Sequence, residues 1–86
     1  MDGAKMKIDE VLNREMLIIG HRIKRSKFDK NSSGKYLAIQ FVFVGTEDRK
    51  VVFTGSDVLI EQMERYGEEI PFVATIKKVD RYYTLS

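Results

Sequence analysis

Eighty-six residues, 43% hydrophobic and 33% charged with a net charge of +2, describe one small globular domain rather than a disordered chain. The lack of cysteine excludes disulfide staples and thiolate metal sites, and fits a reducing compartment. No run reaches the roughly 20 apolar residues that cross a bilayer, and MDGAKMKIDE has no apolar signal core, so a cytoplasmic location is expected.

Charge is unevenly spread. Residues 22–35 carry six basic side chains against one acid, and residues 57–69 carry five acids against one base. A basic loop and an acidic helix make the molecule electrically two-sided.

In chain order, residues 5–15 predict a short helix. Ile8, Val11 and Leu12 fall on one stripe, suited to capping the open end of a barrel. Residues 16–28 predict a long first strand, with Leu17, Ile19 and Ile23 sharing parity. Gly20 interrupts it and predicts a bulge, which leaves the direction of His21 open. Residues 29–35, DKNSSGK, form a turn cluster.

Tyr36 to Ser56 predicts two strands joined through Gly45–Arg49. Leu37, Ile39, Phe41 and Phe43 face inward, and Phe53 is taken as inward too. Residues 56–66 predict a helix with Ser56 as N-cap, Asp57 in its first turn, Leu59, Met63 and Tyr66 on one face, and Gly67 as its stop. Residues 71–79 predict a fourth strand, Asp80–Arg81 a turn and 82–86 a short fifth strand. A helical segment over 1–15 thus precedes a barrel domain over 16–86.

The short links favour antiparallel neighbours. All-β with one or two helices is the expected class. Five strands with the helix between the third and fourth resembles the order of the OB-fold, a partly open Greek-key barrel.

Catalysis has little support. The lone His21 has no nucleophile placed beside it, the carboxylates lie along a solvated helix face, and no phosphate-cradling glycine loop exists. No enzyme activity, cofactor or metal is expected. GKYLAIQFVFV is similar to the aromatic strand motif of RRM domains, but no helix separates the first two strands, and the GXXG loop of KH domains is absent.

The basic residues point instead to nucleic acid. OB-folds bind single strands across strands two and three and through the one–two and four–five loops. Arg22, Lys24, Arg25, Lys27, Lys30 and Lys35 flank the one–two loop. Tyr36, Gln40, Lys50 and Thr54 are expected on the outer face, and Lys77, Lys78, Arg81 and one of Tyr82 or Tyr83 on the last hairpin. Lysine and arginine neutralise phosphates, and tyrosine stacks on bases. The expected site is therefore Arg22, Lys24, Arg25, Lys27, Lys35, Tyr36, Gln40, Lys50, Lys77, Arg81 and Tyr82. It carries two requirements: a barrel that closes, and cations and rings that share one trough.

Residues 51–86 add a resemblance. The FTGS turn into the helix, the IPF opening of the fourth strand and the aromatic-Thr-hydrophobic-Ser ending resemble small single-stranded-DNA-binding proteins of Gram-positive phages and mobile elements. The resemblance implies an OB-fold accessory of replication or recombination, with single-stranded DNA as ligand and replication proteins as partners. These contacts do not distinguish RNA from DNA. The alternative is a protein-interaction module on the same scaffold.

Overall fold

A computed structural model describes residues 3–25 and 34–86. Over these residues the chain is mostly β with one α-helix. Six strands among them make one mixed sheet: β1 (Ala4–Met6), β2 (Glu15–Arg25), β3 (Lys35–Phe43), β4 (Arg49–Thr54), β5 (Phe72–Val79) and β6 (Tyr82–Leu85). The helix α1 (Asp57–Tyr66) lies between β4 and β5 in sequence. The sheet order is β1-β4-β3-β2-β5-β6, with β1 parallel to β4 and every other pair antiparallel.

β3 is the hub. Leu37, Ile39, Phe41 and Phe43 alternate along it and are buried on one face. Facing residues on paired strands share a face. The inner set therefore continues through Met16, Ile18, Val52 and Ala74, all buried. Leu59, Ile60 and Met63 of α1 close the core. Tyr66, expected with them, stays exposed. The Ser56 hydroxyl accepts from the Leu59 amide and caps the helix as expected.

The register shifts between Ile18 and Gly20, so the bulge falls where Gly20 predicted it. Its direction corrects the first-strand parity: Met16 and Ile18 point inward, and Leu17 does not. Beyond the bulge His21 takes the inner face opposite Ile39. Its imidazole fills the space a Cβ at Gly67 would occupy. Gly67 has an ordinary helical φ of −60° and leads into a short 3-10 turn. This glycine caps the end of α1, as expected, and its lack of a Cβ serves close approach to His21.

Residues 5–15 are not an α-helix. A three-residue apolar stripe is too short to sustain one in isolation. Residues 4–6 instead pair with the outer edge of β4, residues 8–10 make one 3-10 turn, and Asn13 leaves it at φ 62°. The stripe still packs inward, because Val11 is fully buried and Ile8 and Leu12 pack against the core. The segment is therefore a strap within the sheet rather than a separate helical unit. It runs from β4 to Ile76 of β5, where the Asn13 amide donates to the carbonyl at 2.9 Å. On the way Tyr83 of β6 donates to Asp9 at 3.0 Å.

The sheet is open where a barrel was expected. Among the described residues no ladder joins β4 to β6. The outward edge of β6 is met by α1: the Leu85 amide donates to Gln62 Oε1 at 2.8 Å, and Gln62 Nε2 donates to Thr84 at 2.8 Å.

Two measurements check these contacts. With His21 in place, Gly67→Ala should lose about 1–2 kcal/mol through overpacking. In an His21→Ala background the same change should gain roughly 0.5–1 kcal/mol, because alanine loses less entropy than glycine in a helical conformation. Equal effects of G67A in both backgrounds, in denaturant melts, would refute the contact. The hydrogen bond to Asp9, then burial, then the Asp9 charge raise the Tyr83 phenol above its ordinary value near 10. The folded chain therefore keeps a proton that the unfolded chain releases, and this contribution is full below about pH 10 and lost above it. Tyr83→Phe should flatten the decline in melting temperature on that alkaline side.

Candidate nucleic-acid interface

The sheet face turned away from α1 forms four rows, read from the register. Lys24 lies beside Tyr36. Arg22 lies beside Ala38, and Ala38 beside Phe53. Gly20, Gln40, Val51 and Lys5 form the third row. Val73, Leu17, Val42 and Arg49 form the fourth, which is apolar along most of its length.

The first three rows share one face of the sheet. Ala38 and Val51, at 3% and 4% exposed, are covered there by their neighbours. Tyr36 and Phe53 have ring centroids 6.2 Å apart at 54°. Phe53 is 41% exposed. Arg22 and Lys24, both exposed, line the β2 flank. On the opposite flank the Lys5 ammonium sits 5.1 Å from the centre of the Phe53 ring, within the range of cation–π attraction. Such a surface offers flat apolar faces to bases and positive charge to phosphates.

The expected residues divide. Arg22, Lys24, Tyr36 and Gln40 come together on this face. Arg25 faces Lys35 on the opposite parity, and the Lys35 ammonium lies 3.8 Å from Glu64 of α1. Both therefore belong to the helix side. Lys50 pairs with Phe41 and Thr54 with Leu37, so these two also have inner-face parity. Lys77, Arg81 and Tyr82 belong to the β5–β6 hairpin, beyond the Glu15 end of β2 and away from Lys24. Tyr82 is the exposed one of the tyrosine pair, and Tyr83 packs against the core. Lys27, Phe28 and Lys30 lie outside the described residues.

Of the two requirements, a ladder that closes the sheet is not met. The second is met only in part: four of the expected residues share a face with two that sequence reading missed, and Arg25, Lys35, Lys50, Lys77, Arg81 and Tyr82 do not join them. Phe53 was taken as core because the run Val51-Val52-Phe53 allows either parity. The deciding signal is the connection: Val42 pairs with Arg49 across six residues, an even number, which hands the inner face to Val52. Lys5 was hidden in a predicted helix.

Phe53→Ala should cost under about 1.5 kcal/mol of stability, because the ring is half in water already. Phe41→Ala, a fully buried core position, should cost about 3–5 kcal/mol. Paired urea melts of the two variants check the facing directly.

A family model described as Domain of unknown function (DUF8468) matches residues 2–86 of the chain. No curated protein and no solved structure matches it. No helix among the described residues is long and apolar enough to cross a membrane.

Proposed function

We propose that this chain, which belongs to the DUF8468 family, binds single-stranded DNA with little sequence preference and carries out no catalysis. One observation carries the proposal: a ring pair, exposed Phe53 and half-buried Tyr36, shares a face with Arg22 and Lys24. Successive bases stack on the rings while their phosphates follow the β2 flank.

The topology supports an OB-like scaffold. β2, β3, β4, α1, β5 and β6 follow the order of that fold, and β2 pairs with both β3 and β5. The missing β4–β6 ladder is the departure, with α1 and the N-terminal strap lying across that gap. The closure required of the expected site is thus absent among the described residues and counts against this reading, which rests instead on the side chains that β2, β3 and β4 bring to one face. An accessory role in replication or recombination of a phage or mobile element follows from the resemblance over residues 51–86.

A second reading makes the sheet a scaffold and α1 the contact surface. Glu61, Glu64, Glu68 and Glu69 are exposed on the side away from the ring pair and suit a basic protein partner.

Anisotropy of labelled oligo-dT at two salt concentrations separates the two. Three phosphates neutralised by single-strand contacts predict a slope of log affinity against log salt of roughly −2. Tyr36→Ala and Phe53→Ala should each weaken binding by about 1–3 kcal/mol. No binding at ~50 mM salt refutes the first reading, and partner capture that survives nuclease treatment favours the second. Competition by duplex DNA and by RNA ranks the ligands.

A further inference from the structure

We infer that Lys5 contacts the bound single strand and that β1 is a ligand-responsive wall of its groove; this rests on the single-strand reading above. β1 is a three-residue strand, held on the outer edge of β4. Met6 packs on the core and Ala4 shares its parity, so Lys5 is turned to the face that bears the rings. From β2 to β1 there are three strand-to-strand steps of about 4.8 Å, which separates the two cationic flanks by roughly 14 Å. The rings lie between them.

This arrangement has two states. Without ligand, the Lys5 ammonium rests 5.1 Å from the centre of the Phe53 ring. When a base stacks on Phe53, the strand brings its phosphates beside that ammonium. A full negative charge attracts it more strongly than a ring quadrupole does. The new contact exists only while β1 is docked on β4. The ligand therefore favours the docked strand, and by linkage the docked strand favours the ligand.

Docking has its own requirement. Gly3 has φ 135°, and a Cβ there would lie 3.0 Å from the Lys50 carbonyl carbon. Gly3→Ala therefore loosens β1 and leaves both Lys5 and the rings in the chain.

The test uses the full chain and a short labelled oligo-dT. Amide exchange over residues 4–6 should slow several-fold when the oligonucleotide is added. Lys5→Ala should weaken binding roughly eightfold at ~50 mM salt and make the salt slope shallower by about 0.7, the share of one single-strand phosphate. Gly3→Ala should lower affinity in the same direction with the lysine still present. Lys50→Ala, at a lysine that pairs with Ala4 and has the opposite parity to Lys5, should leave the slope unchanged. Circular dichroism confirms that each variant is folded. Wild-type affinity and slope in both K5A and G3A would overturn the inference and leave single-strand binding standing. A wild-type chain that binds no oligonucleotide would overturn both.

Discussion

The pairing of β3 with β4 decides what this molecule presents to solvent. A strand residue has only two directions, and β3 spends one of them on Leu37, Ile39, Phe41 and Phe43. Once Val42 faces Arg49, every even-numbered residue of β4 must point inward and every odd-numbered one outward. Val52 enters the core, and Phe53 rises beside Tyr36. Leaving part of that ring in water forgoes some of the ~1.5–3 kcal/mol that full burial would give. The result is an aromatic pair on the sheet face turned away from α1, with Phe53 41% exposed.

The strong periodicities were legible from residues alone. The alternation of β3, the Ser56 cap of α1 and the Gly20 bulge each follow from one local rule. Where two rules competed, the sequence was silent. Val51 and Val52 are equal candidates for burial, and only the length of the preceding connection separates them. Ile8, Val11 and Leu12 suit a helix or a packed strap, and the free edge of β4 decided for the strap. Gly67 is the helix stop that the sequence indicates, but its lack of a side chain also serves the imidazole of His21, a partner 46 positions away in sequence.

The same parity sorts the charges. A basic stretch in the sequence is not a basic patch in space, because alternate residues leave opposite faces. Arg22 and Lys24 join the rings, while Arg25 and Lys35 turn toward the acidic helix. The exposed Lys35–Glu64 pair contributes little stability by itself. Its effect is on the field: cations on the helix side are offset by the carboxylates of α1, and those beside Tyr36 and Phe53 are not matched by acids in their rows. Two-sidedness seen in composition thus becomes two sheet faces of different potential.

An open sheet has two rims, and each unpaired rim is a template on which another chain can grow a strand. Here neither is bare for long. The rim at β1 is three residues long and carries a lysine at its centre. The rim at β6 has its Leu85 amide taken by the carboxamide of Gln62. A side chain on the helix thereby does what a seventh strand would do elsewhere. Among the described residues the ladder stays unjoined, with one rim cut short and the other partly taken by a side chain of the helix.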